Sequence, residues 1–145
     1  MTSTTQTVLN RRDVLSAIRY GATIWVVATG LLATLGSVLI PEAGSWGGVL
    51  LIVGFAALAL GLAVVTYLRY RRTRNDSITL RLLFGTVTAA TGLLLDAVVY
   101  AVAVARYPFL SENQQGPVAF LLLFAYGFLL IAPHLVSKKT RIESR

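Results

Sequence analysis

In this chain of 145 residues, 56% are hydrophobic and only 13% are charged, about half the charged share of a soluble domain; with a mean hydropathy of +0.73, it reads as one membrane domain. The absence of cysteine excludes disulfides, thiolate metal sites and thiol redox chemistry, and with them the membrane thiol oxidoreductases. The formal charge of +7 does not mark a nucleic-acid binder, because the basic residues are grouped between apolar runs.

The chain opens with a polar stretch, MTSTTQ, of the kind that leaves a terminus disordered. Asn10-Arg11-Arg12-Asp13-Val14-Leu15 has the look of a twin-arginine export signal. Three more apolar runs follow, however, and no clear small-x-small cleavage site ends the first, so an uncleaved first helix is expected. It spans about 17–40. Residues 41–45 (PEAGS) form a turn, with Ser45 placed to cap a second helix of about 47–68. The basic segment RYRRTR follows, and Asn75-Asp76-Ser77 supplies caps for a third helix over about 80–105. Residues 107–115 read as an outer loop. Gly116-Pro117 opens the fourth helix, since proline suits a first helical position, and this helix reaches about residue 136 before the basic tail SKKTRIESR. The expected fold is all-α, a four-transmembrane-helix bundle over 17–136.

Twelve of the thirteen lysines and arginines lie in three groups that flank the apolar runs on alternate sides. These are Arg11, Arg12 and Arg19; then Arg69, Arg71, Arg72, Arg74 and Arg81; then Lys138, Lys139, Arg141 and Arg145. Arg106 alone falls opposite. The positive-inside rule therefore puts both termini in the cytoplasm of a plasma (inner) membrane, with anionic lipids as the partners of the basic clusters. Trp46, Tyr67, Tyr70 and Tyr107 fall near helix ends, where aromatic belts form.

The first and third runs echo each other. Ala28-Thr29-Gly30-Leu31-Leu32 recurs as Ala90-Thr91-Gly92-Leu93-Leu94, and in that register Arg19 aligns with Arg81 and Thr34 with Asp96. A duplication would make these helices parallel repeats about an axis along the membrane normal.

Asp96 is the residue most suited to chemistry. It lies some 14 Å from the outer end of its run at about 1.5 Å per residue, and a carboxyl at such depth costs roughly 2.5–3.5 kcal/mol to insert. Gly85, Ala89, Gly92, Tyr100 and Ala103 share its helical face, which is small enough to approach other helices closely. Gly54, Ala57 and Gly61 give the second helix a comparable face. Matching depths across the bundle brings Tyr126 opposite Asp96, with Tyr100 one turn outward and the first helix contributing the region between Thr29 and Thr34. No cation lies at this level, which favours a neutral, proton-donating acid. Asp96, Tyr126, Tyr100, Thr34 and Thr91 are thus the candidate proton- or substrate-binding residues. The intramembrane threonines also have the option of bonding back to their own helices. Arg19 and Arg81 can snorkel to the interface, and His134 reads as interfacial. Pro133 frees a carbonyl one turn earlier. No phosphate loop, metal-ligand cluster or nucleophile triad is present, so neither cofactor nor metal is expected.

Thr91-Gly92-Leu93-Leu94-Leu95-Asp96, Tyr107-Pro108-Phe109-Leu110-Ser111, Ala119-Phe120, Ala125-Tyr126 and Pro133 resemble a family of small bacterial four-helix integral membrane proteins of unknown function. The resemblance implies four helices and a role for the Asp96 region, and supplies no activity. Small multidrug exporters share the size and helix count but carry a glutamate in the first helix, where this chain has no carboxylate.

Three functions fit these residues. In a transporter-like protein, Asp96 takes up a proton or a cationic or amphiphilic substrate, within a homo-oligomer because four helices leave little room for a private pathway. In a non-catalytic partner or assembly subunit, the small-residue faces serve packing. In a membrane-embedded isomerase or cyclase acting on a lipophilic substrate, Asp96 is the acid, helped by Tyr126 or Tyr100.

Overall fold

The structure, a computed structural model, describes residues 10–40, 46–103 and 107–136. They form four helices: α1 (Arg11–Leu39), α2 (Trp46–Arg71), α3 (Ile78–Val102) and α4 (Glu112–Leu135). Each is long and apolar enough to cross a membrane. Their large apolar side chains point outward in number: Val38, Leu50 and Val102 are 82%, 75% and 79% exposed. Such a surface is an aggregation hazard in water, whereas in lipid it is the solvent-facing side.

Helix starts follow capping chemistry rather than the edges of the apolar runs. Asn10 accepts a hydrogen bond from the Arg12 N–H at 3.1 Å and starts α1 several residues before the expected 17. Ser77 accepts from the Leu80 N–H at 3.1 Å and caps α3. The fourth helix corrects the reading of Pro117 as its opening residue. Ser111 is the N-cap, the Gln114 side chain accepts from the Ser111 N–H at 3.1 Å, and Pro117 lies inside the helix. Residues 112–115 are helical because their amides find partners. Gln114 Nε2 donates to the backbone carbonyls of Ser37 (3.1 Å) and Ile40 (2.7 Å), binding the start of α4 to the end of α1. At the other boundary α3 stops at Val102, with Ala103 as C-cap, short of the expected 105. The Ser45 cap, the Trp46 side chain, the polar N-terminal stretch and the basic tail lie outside the described residues.

Around the bundle the order is α1, α3, α4, α2: α1 packs on α3, α3 on α4 and α4 on α2, while α1 and α2 touch lightly. The N-terminal ends of α1 and α3 and the C-terminal ends of α2 and α4 meet at one end. There Asp13 pairs with Arg74 (2.7 Å), and Asp76 pairs with Arg71 (3.2 Å) and Arg81 (2.9 Å). Arg71 also donates to the Val136 carbonyl at 3.1 Å. Every described arginine belongs to this end, which is what the alternation of basic groups along the sequence requires. The Arg81 guanidinium holds the Asp76 carboxyl down at about 2, well below its usual 3.8.

Two readings of the helix faces need correction. Tyr67, Tyr70 and Tyr107 are 0%, 0% and 2% exposed, so they are core residues and not a lipid-facing belt. Tyr67 donates to Asp76 at 2.6 Å and Tyr70 to the Asp13 carbonyl at 3.2 Å, and both rings pack on Phe84. The polar tip of each tyrosine finds a partner within the protein, which removes the reason to face the interface. Gly54, Ala57 and Gly61 turn outward, and nothing lies within 4 Å of a Cβ built on either glycine. The buried face of α2 runs instead through Ala56, Ala63, Thr66 and Tyr67. Nor does the packing follow the symmetry of a duplication, since α3 and α4 are closely packed and α1 and α2 are not.

Candidate functional site

Asp96 is 5% exposed, on the α3 face that also buries Gly85, Ala89 and Gly92. That face is small, so neighbouring helices come close. A Cβ on Gly21 of α1 would lie 2.9 Å from the Thr88 carbonyl oxygen, and one on Gly85 would lie 3.0 Å from the Leu130 carbonyl oxygen of α4 and 3.1 Å from that of Leu129. The Leu129 carbonyl is the one that Pro133, lacking an N–H, leaves without its helical donor. Glycine at 85 lets α3 pack directly over it.

Side chains from both neighbouring helices donate to the carboxyl. The indole N–H of Trp25, from α1, donates to Oδ1 at 2.7 Å. The Tyr126 hydroxyl, from α4, donates to Oδ2 in a very short hydrogen bond. Asp96 therefore connects α3 to both of the helices it packs against. Each donor is neutral, and among the described residues no basic side chain pairs with the carboxyl. The two bonds also differ chemically. Indole nitrogen can only donate, so Oδ1 is always an acceptor; a hydroxyl can donate or accept. Tyr126 can therefore serve Oδ2 either as donor or as acceptor, whereas Trp25 can only donate to Oδ1. The arrangement accommodates the site with and without a proton by rotating one O–H bond.

An outer layer of polar contacts lies beyond it. Tyr107, just before α4, shares a hydrogen bond with the Thr29 hydroxyl at 3.0 Å. Its backbone is clamped by Gln115, which accepts from the Tyr107 N–H at 2.7 Å and donates to the Tyr107 carbonyl at 3.0 Å. Phe109 in this segment has φ of 68°, a left-handed conformation that costs a non-glycine residue roughly 1–2 kcal/mol.

Of the five residues singled out from the sequence, the structure brings Asp96 and Tyr126 into contact. Tyr100 lies nearby but is not a donor to Asp96; its ring packs against Tyr107 at 5.8 Å between centroids. Thr91 donates to the Val87 carbonyl of its own helix at 2.7 Å. Thr34 is exposed and donates to the Gly30 carbonyl at 2.8 Å, so it does not belong to this cluster. Thr29, in contrast, bonds across to Tyr107 rather than back to its own helix. The residue that depth matching missed is Trp25. A count of axial rise locates Cα atoms, whereas an indole reaches more than a turn away from its own. Its signal was a tryptophan in the middle of an apolar run, where its N–H must find a partner inside the protein.

The α1–α2 side is lined differently. A cavity of about 160 Å³ lies between these helices, walled by Leu31, Leu39, Phe55 and Leu58, with Leu122 and Ala125 of α4 as its floor. Asp96 is not part of its lining. Among the described residues, no three acidic, histidine or cysteine side chains come together as a metal site. No protein-family model, no curated protein and no solved structure matches this chain.

Proposed function

We propose that this chain is a transporter-like protein of a plasma membrane, with both termini cytoplasmic, in which Asp96 binds and releases a proton during movement of a cationic or amphiphilic substrate. The observation that carries this reading is the Asp96 site itself: a buried carboxyl within the apolar span of α3, bonded to two neutral donors, with an exchangeable partner in Tyr126. Intramembrane carboxyls of this kind serve proton relays and ion pathways. The collection of described arginines at one end supports the orientation, and their exposed members face anionic headgroups. Association of copies accompanies this reading, because four helices leave little room for a private pathway.

The same bonds favour a second reading. Asp96 joins α1 and α4 to α3 and so acts as a bolt, as an assembly subunit without transport would need. One substitution separates the two, since Asp96→Asn keeps the size and the Oδ1 acceptor but cannot titrate. Purified protein in vesicles holding a pH-sensitive dye reports proton flux when lipophilic cations are added under a pH gradient. Transport predicts flux for the wild type and none for a normally folded Asn variant. Equal traces for the two proteins would leave the bolt as the better account.

A further inference from the structure

We propose that the furrow between α1 and α2 is a binding site for an anionic phospholipid, its chain lying along the two helices and its phosphate at Arg69. The inference stands apart from Asp96 and from transport.

Two cavities lie end to end along the α1–α2 seam. The outer cavity of about 160 Å³ and an inner one of about 190 Å³ share Val27 and Leu62 as lining residues. The character of the furrow changes along its length. Among the described residues, the outer part is walled by apolar side chains. The inner part adds Tyr20, Thr23, Thr66 and Arg69. The Thr23 and Thr66 hydroxyls are already spent on the carbonyls of Arg19 and Leu62, so the Arg69 guanidinium, with the Tyr20 hydroxyl, is left to meet a ligand. Among the described residues, no carboxylate lines either part.

Arg69 differs from its neighbours. Arg71 and Arg81 are paired with Asp76, and Arg74 with Asp13. Arg69 is exposed and has no side-chain partner among the described residues. A guanidinium at the mouth of an apolar furrow suits a phosphate linked to a hydrocarbon chain. The lengths agree as well. From Arg69 to Phe55 is fourteen residues, about 21 Å at 1.5 Å per residue, so the furrow accommodates a chain reaching past the midplane of a core about 30 Å thick.

Ordinary lipid contact does not explain this shape. A chain on a convex helix face touches one or two helices. Here it is flanked by α1 and α2 and floored by Leu122 and Ala125 of α4, so three helices supply dispersion contacts.

The test uses the full chain, purified in mild detergent and loaded with phosphatidylglycerol or phosphatidylcholine, with bound lipid counted by native mass spectrometry. Wild type is expected to retain one phosphatidylglycerol about tenfold better than phosphatidylcholine. Arg69→Gln should lose that preference, while Arg72→Gln, an exposed arginine at the same end that does not line the furrow, should keep it. Ala59→Trp, which fills the furrow, should lose retention. A photoreactive phosphatidylglycerol covers the case in which the tryptophan variant does not fold. In wild type its adducts should map to Val27, Phe55 and Leu58 rather than to Leu123 and Phe124 on the far face of α4. Equal losses in the two glutamine variants, retained lipid in a folded Ala59→Trp protein, adducts spread over all faces, or a dimer sealed through this furrow would each overturn the proposal.

Discussion

Gly92 lies beneath the ring of Tyr126, and a Cβ built on it would sit 2.5 Å from Cε1 of that ring. The missing side chain of one residue therefore sets the position of the other's hydroxyl on Asp96. Gly92→Ala should push the ring off its seat and destabilise the bundle by about 1–3 kcal/mol, the range for overpacking a filled site. Leu93→Ala, one residue on but 48% exposed, should cost less. Thermal unfolding in detergent measures both. Equal costs would mean that Tyr126 does not need the space.

Trp25 offers a cleaner subtraction. Trp25→Phe keeps an aromatic ring on α1 and removes the N–H that Asp96 accepts at 2.7 Å. Interhelical hydrogen bonds in membrane proteins contribute about 0.6 kcal/mol on average and up to ~1.7, and this one serves a buried carboxyl. A cost near the upper figure is expected. The same change in an Asp96→Leu background should add little, because the acceptor is already gone. The coupling comes from a double-mutant cycle, and additive costs would show that the bond contributes nothing.

The polar end makes a prediction about pH. Arg81 donates to both Asp76 oxygens at 2.9 Å, and the carboxyl is lowered to about 2 from 3.8. A folded value below the unfolded one means that the ion pair contributes in full above about pH 4 and is lost as pH falls from there through about 2. Solvent reaches this pair, so the contribution is modest. The melting-temperature difference between wild type and Asp76→Asn should stay constant above about pH 4 and shrink toward pH 2. A gap unchanged over that window would rule out the pairing as its source.

How much of this could be read from the sequence varies by feature. The four helices were legible because an apolar run of some twenty residues has few other uses. Their starts were not, since Gln114 and Gln115 look like loop residues until the carbonyls of Ser37, Ile40 and Tyr107 are brought to them. The Asp96 face was legible from the spacing of Gly85, Ala89 and Gly92, and the contact with Tyr126 from matched depth. Trp25 escaped because its long side chain reaches beyond the level of its own Cα. Tyr67 and Tyr70 escaped because the interface rule applies where a polar tip lacks a protein partner, and Asp76 and the Asp13 carbonyl are such partners. Gly54 and Gly61 show the converse, since small residues permit close packing without requiring it.

Orientation can be measured directly. Single cysteines at positions 3, 45, 73, 113 and 144 in this cysteine-free chain can be labelled in intact cells with an impermeant maleimide. Positions 45 and 113 should react from outside, and 3, 73 and 144 only after lysis. Reaction of position 73 from outside, with 45 and 113 protected, would reverse the proposed orientation.

The protonation of Asp96 has its own signature. A protonated carboxyl in an apolar site gives an infrared C=O stretch in a region free of backbone bands, and Asp96→Asn identifies it by its loss. The two donors should act on that band differently. Trp25 donates to Oδ1, the carbonyl oxygen of the acid, so Trp25→Phe should weaken that hydrogen bond and move the band to higher frequency. Tyr126 bonds the other oxygen, Oδ2, so Tyr126→Phe should shift the band by a different amount from Trp25→Phe. A proton site predicts that the band fades as pH is raised while the fold survives. If no Asp96 band appears at any pH from 5 to 9 in folded protein, Asp96 holds its charge throughout, and the residue joins helices without exchanging protons.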